Sequence, residues 1–255
     1  MNKNHISLQV YTARYFKPYE DIFKFVSESG IENLELFEVE AFEEIKDLLE
    51  KYNLSAKSSH IGFDTLKNTS EIISSLQKLN VKYAIIPCPT GKPGGKFEAI
   101  FDKNEEEWNE FGKELSSYVD LFEDNGITLG YHNHGFEFNK LPSGKMPMEC
   151  ILDQNEKLKF EIDLGWVVAA KADPIYWTKK FASRIIACHL KDFTSPDKNL
   201  FDHDSQCAVG DGFIDWSSIL SEVKKTSCEI FALEHDNPKD YKEYTKRSIE
   251  NLKNI

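Results

Sequence analysis

Eight short apolar or β-branched runs recur along the chain, each followed by a longer segment, and this alternation restricts the fold more than any other feature. The runs fall at residues 6–11, 33–37, 55–59, 83–87, 127–132, 159–163, 184–190 and 229–234. Runs of that length suit strands. Intervening segments such as 19–29, 41–51, 66–79 and 105–123 place apolar residues three and four positions apart, as helices covering a sheet do. Gly30 and Gly126 each close a helical segment just before a strand, where a helix-ending glycine belongs. Such repeats build parallel sheets, and eight of them in 255 residues predict one α/β domain over residues 1–255, a single (β/α)8 TIM barrel.

Two connections that follow strands are too long for simple turns: 88–103, rich in Pro and Gly, and 191–215, rich in Asp and Ser. Loops after strands form the reacting face of such a barrel, so both are expected to shape a pocket.

Composition narrows the partners. The formal charge of -12 opposes any ligand gripped through its phosphates, nucleic acid above all, and favours a small-molecule substrate. No apolar stretch reaches the length needed to cross a bilayer, so no membrane partner is expected. The five cysteines are widely spaced and odd in number, with no Cys-x-x-Cys pair, which suits reduced thiols. Polar residues at the start pass directly into the first apolar run, leaving no room for a signal-peptide segment. The expected location is cytoplasmic; a homo-oligomer is left open.

Glu35, His60, His132, Asp163, His189 and Glu234 fall at the ends of otherwise apolar strands. Each alone has a bland explanation as a solvated or hydrogen-bonded side chain. Closing the barrel gathers its strand ends around one axis, however, and turns distant positions into a cluster. Mixed imidazole and carboxylate donors suit a borderline divalent ion such as Mn, Co or Zn.

Several motifs follow in order: residues 7–14 (SLQVYTAR), 131–138 (YHNHGFEF), 161–167 (EIDLGWV), 173–174 (DP), 189–192 (HLKD), 209–216 (VGDGFIDW) and 233–236 (LEHD). Over nearly its whole length the chain thereby resembles the xylose isomerase-like superfamily, in particular its bacterial sugar phosphate isomerase/epimerase branch. Relatives of this kind place a metal on a Glu, Asp, His, Glu set from four strands. The resemblance implies Asp163, His189 and Glu234 for three of those places. At the fourth, His132 stands where the usual fifth-strand Glu would be. That change makes the ligand set less negative and removes a carboxylate that related epimerases use as an acid/base. Glu137, just beyond in the loop, is the alternative source of a carboxylate. The implied cofactor is a divalent ion, Mn, Co or Zn, with Mg also admitted.

Alternate strand residues point to opposite sides, so only one of His132 and His134 faces the barrel mouth. His134 is expected in the loop, contacting substrate or packing beneath it. Lys191, two residues after His189, is placed to stabilise an oxyanion or hold a hydroxyl or phosphate oxygen. Tyr11, Arg14, Glu35, His60 and Trp166 are expected to line the pocket, Trp166 offering an apolar face to a sugar ring. The glycine-rich segments 91–96 and 210–212 match neither a P-loop nor a dinucleotide fingerprint. The second lies where barrels often bind phosphate.

The resemblance implies metal-dependent isomerisation or epimerisation of a sugar through an enediolate, with Glu234, Lys191 and Glu137 as candidate catalytic residues. A keto-sugar lyase or dehydratase and a non-catalytic sugar-binding barrel are the alternatives. An endonuclease of the same barrel type would need more metal ligands and a basic groove.

Overall fold

The computed structural model describes residues 5–37, 39, 42–89, 103–200 and 202–255. Eight parallel strands close into one barrel: β1 (Ile6–Gln9), β2 (Asn33–Phe37), β3 (Ser55–His60), β4 (Tyr83–Ile86), β5 (Thr128–His132), β6 (Lys159–Asp163), β7 (Ile185–Leu190) and β8 (Ile230–Leu233). Consecutive strands are neighbours, and β1 pairs with β8 to close the ring, Ser7 opposite Ala232 and Leu8 opposite Leu233.

Successive strand side chains point to opposite faces. One set, including Leu8, Leu34, Leu36, Phe160, Ile162 and Leu190, is buried in the large apolar cluster shared with the helices. Each such side chain contributes roughly 1.5–3 kcal/mol on burial. Tyr83, Ile85, Ala187 and Ile230 belong to a separate small apolar cluster. Polar side chains are buried in the strands as well, among them Glu35, Glu161, Asp163 and His189.

Local chemistry explains where elements depart from the expected runs. The first strand stops at Gln9, whose side chain accepts the Tyr11 amide at 3.1 Å and opens a 3-10 turn over Val10–Ala13. The segment 66–79 divides into a 3-10 turn, Phe63–Asn68, and a helix, Thr69–Lys78. The segment 105–123 divides into Glu105–Ser116 and Val119–Asp124. At that break Ser117 Oγ donates back to the Glu114 carbonyl at 2.7 Å, a bond that competes with helix continuation. Gly30 and Gly126 adopt φ of 75° and 76°, the left-handed conformation that ends helices.

Most of connection 88–103, with its glycine-rich stretch 91–96, and residue 41 at the expected start of a helix lie outside the described residues. Connection 191–215 carries a two-stranded antiparallel ribbon, Asp192–Phe193 with Gln206–Cys207. Its glycine-rich stretch 210–212 does not present open amides to a phosphate. Gly210 and Gly212 donate instead to Asp192 Oδ2, at 2.9 and 3.3 Å, and the Trp216 indole joins them at 2.9 Å. No described helix is long and apolar enough to cross a membrane.

Candidate active site

Strand register assembles the site. In β6, Glu161 and Asp163 are two residues apart and so share the inward face. Glu161 lies opposite His132 of β5, and Asp163 opposite His189 of β7. Glu234 follows the last residue of β8, while His60 ends β3 and Glu35 sits at the middle of β2.

Two overlapping donor groups result. In the outer group, one donor atom each from His132, Asp163, His189 and Glu234 lies within 4.8 Å of the others, all four residues being buried. His189 Nδ1 is 3.0 Å from Glu234 Oε2 and 4.0 Å from Asp163 Oδ2. Asp163 Oδ1 accepts the Trp166 amide at 2.8 Å, whereas its buried Oδ2 accepts no hydrogen bond. That oxygen meets the Lys191 ammonium, at 3.3 Å and outside hydrogen-bond geometry, and a carboxylate oxygen so placed in a nitrogen and oxygen cluster fits a borderline divalent cation. In the inner group, donor atoms of His60, His132, Glu161 and His189 also lie within 4.8 Å of one another. Glu161 Oε2 lies 2.6 Å from His60 Nε2, 3.1 Å from His132 Nδ1 and 3.2 Å from His189 Nε2.

Lys191 closes the outer group from the side. Its ammonium is 2.8 Å from Asp236, 3.0 Å from Glu234 and 3.3 Å from Asp163, and it lies over the Trp166 ring. Burial opposes that charge, but the three carboxylates outweigh it and hold Lys191 well above its usual range. Burial likewise opposes ionisation of Glu234, yet Lys191 and His189 keep its carboxyl well below the ordinary value. For Asp163 burial prevails over Lys191 and His189, raising it to about 6. Burial, reinforced by His189, holds His132 well below the usual imidazole value, so it is neutral and able to lend a lone pair.

A cavity of about 660 Å³ opens above these groups, bordered by His60, His132, Trp166, Glu234 and Asp236 among others. Of the expected pocket residues, Tyr11, Arg14, His60, His134 and Trp166 border it. Glu35 and Lys191 do not. Glu35 is mid-strand and one layer deeper, and Lys191 is 1 % exposed, its ammonium taken by carboxylates. Glu137 is also away from the cavity and from both donor groups. Its oxygens accept the Tyr131 hydroxyl at 2.7 Å and the His134 amide at 2.8 Å, and burial pushes its carboxyl up to about 8. The geometry thus brings His132, rather than Glu137, to the other three donors.

His134 is a loop residue whose ring stacks on Phe136, and burial lowers it to about 4. Two residues acquire importance that strand-end reasoning missed. Glu161 lies between three imidazoles, and its spacing from Asp163 was the available signal. Asp236 borders the cavity, bonds Lys191 and accepts the Gln206 side chain, and it lies two residues beyond Glu234.

A closed eight-stranded parallel barrel with mixed carboxylate and imidazole donors at one end defines a class of barrel that comparison with known proteins makes specific. The family model described as xylose isomerase-like TIM barrel matches residues 23–255, and the chain belongs to that family. A sugar phosphate isomerase/epimerase from Parabacteroides distasonis superposes with a TM-score of 0.78 at 18% identity, over 98% of both chains. The IolI protein, solved with a zinc atom, gives a TM-score of 0.77 at 13% identity, over 98% of this chain and 97% of that one. An inosose dehydratase from Clostridium botulinum is 31% identical over 96 residues, 38% of this chain and 32% of that protein. The chain thus matches about a third of the length of that curated relative.

Proposed function

We propose that this protein is a divalent-metal-dependent isomerase or epimerase of a sugar or sugar derivative, moving a proton beside a carbonyl through an enediolate. The observation that carries this reading is the convergence of His132, Asp163, His189 and Glu234 below the cavity. Those four residues would hold the cation, which when bound would polarise a carbonyl and acidify the adjacent C–H. The chain's own groups supply the rest. Glu234 belongs to the donor group and also borders the cavity, and its carboxylate is kept ionised, so it is placed to take the proton. Lys191 steadies Glu234 and Asp163 and balances their charge from a position out of the substrate's reach. Trp166 and Tyr11 offer flat faces to a sugar ring. Returning the proton to the neighbouring carbon gives isomerisation, and returning it to the opposite face gives epimerisation.

Elimination from a keto-sugar is the second reading, favoured by His132. With a histidine at the fifth-strand place, one carboxylate at the cavity floor is absent from the proton-shuttling pair. After Glu234 takes the proton, handing it on to the β-hydroxyl lets that group leave as water while the enediolate electrons form the new C=C bond, which completes a dehydration. The partial likeness to an inosose dehydratase supports this reading too. The five free cysteines favour a reducing, cytoplasmic setting for such carbohydrate metabolism.

Metal analysis and NMR test both readings. Purified protein, stripped with chelator and exposed to Mn, Co or Zn, should take up metal, and D163A and H189A should take up far less. Equal uptake by all three proteins would remove the metal assignment. Incubation with keto-sugars in D2O should place deuterium beside the carbonyl, with loss of water marking elimination instead.

A further inference from the structure

Glu35 is fully buried and does not border the cavity, so it cannot meet a substrate there. Its Oε1 lies 2.5 Å from Nε2 of His189, while Nδ1 of the same ring faces Glu234 and Asp163. A neutral imidazole offers one lone pair and keeps one N–H. The His189 ring therefore has a front, toward the outer donors, and a back, toward two carboxylates, of which Glu35 at 2.5 Å is nearer Nε2 than Glu161 at 3.2 Å. Glu35 is itself fixed: Gln9 Nε2 donates to Oε1 at 2.8 Å, and Ser58 Oγ donates to Oε2. Three adjacent strands, β1, β2 and β3, thus brace a ring carried by β7. The His60 ring stacks on His189, with centroids 5.4 Å apart and planes 4° from parallel, and keeps it from tilting.

The geometry points to Glu35 as the positioning residue that accepts the Nε2–H of His189 and so commits Nδ1 to the cation. This rests on the outer group being a cation site. A carboxylate behind a ligating histidine fixes its tautomer and raises its basicity, and losing such a partner typically costs about 10–100-fold in metal affinity. The rival arrangement puts a second cation in the inner group of His60, His132, Glu161 and His189, with Nε2 of His189 as a donor.

Zinc titration against a chromophoric chelator, on wild type, E35Q and E35A, separates the two. Nitrogen-detected NMR of the zinc-loaded proteins reports the His189 tautomer, which a loosened barrel alone would not exchange. One zinc per chain is expected throughout, bound about 10–100-fold more weakly by E35A. E35Q should lose less, because its amide oxygen still accepts Nε2–H. The wild-type spectrum should show a protonated Nε2 and a metallated Nδ1. If E35A fails to fold, E35Q and the wild-type spectrum still decide the matter. Equal affinity in wild type and both variants, metallation at Nε2, or a second zinc lost with Glu35 would overturn the inference alone. No uptake by the wild type would overturn the metal reading as well.

Discussion

Gly212 lies so close to Asp192 that a Cβ on it would fall on the Asp192 carboxylate and the Phe193 carbonyl. The same carboxylate gathers the amides of Gly210, Gly212 and Phe193 and the Trp216 indole, pinning the long connection after β7 against the barrel. The expected consequence of G212A is a loss of about 1–3 kcal/mol, the usual cost of overpacking a tight site. Urea midpoints measure it, and an unchanged midpoint would mean that the connection repacks freely.

His132 and Glu137 can be told apart by metal uptake. H132A should weaken Mn or Zn binding by an order of magnitude or more, on the order of what losing a ligand costs. E137Q should bind as the wild type does, since Tyr131 and His134 engage both Glu137 oxygens. The reverse ranking, read by competition with a chelator, would return Glu137 to the ligand set.

Glu137 should also make stability depend on pH. Burial raises its folded pKa to about 8, against 4.5 for an ordinary glutamate carboxyl. The folded state then keeps a proton that the unfolded chain has released, so this contribution is full below about 4.5 and is lost as pH rises toward 8. E137Q mimics the protonated acid, donating to Tyr131 Oη and accepting from His134. Urea midpoints of wild type and E137Q should therefore agree near pH 5, with the variant gaining steadily by pH 8. A constant difference across that range would show that Glu137 does not titrate there.

Lys191→Met would leave Asp163, Glu234 and Asp236 without their shared cation. Removing one partner of buried charges costs about 3–5 kcal/mol, and that loss is expected in chelator-treated protein. Added Mn should restore part of it by supplying positive charge to Asp163 and Glu234. Denaturation midpoints with and without Mn are the measurement, and a variant indifferent to Mn would separate these carboxylates from any cation.

The strands were readable because period, length and punctuating glycines such as Gly30 and Gly126 all agreed. The outer donors were readable for a related reason: His132 and Asp163 end their strands, His189 lies one residue from the end of β7 and Glu234 just past β8. Strand-end position says nothing about depth, however. Glu35 was expected at the pocket wall but lies inside β2, behind His189 rather than beside a substrate. Glu161 escapes strand-end reasoning because it is flanked by Phe160 and Ile162 within the strand, although two-residue spacing places it on the same face as Asp163. Lys191 was expected to reach the substrate because it begins a loop, and only the fold reveals three carboxylates around it. The 210–212 stretch lies where barrels often bind phosphate, and no local pattern announces that Asp192 already takes the amides of Gly210 and Gly212.

The outer donors come from β5, β6, β7 and the end of β8, between His132 and Glu234. A chain emerging from the ribosome therefore carries no complete set until the last strand is made, whatever the state of the first half. Should the cation bind as proposed, it would reward only the finished ring, and a chain truncated before β8 would gain nothing from metal during its synthesis.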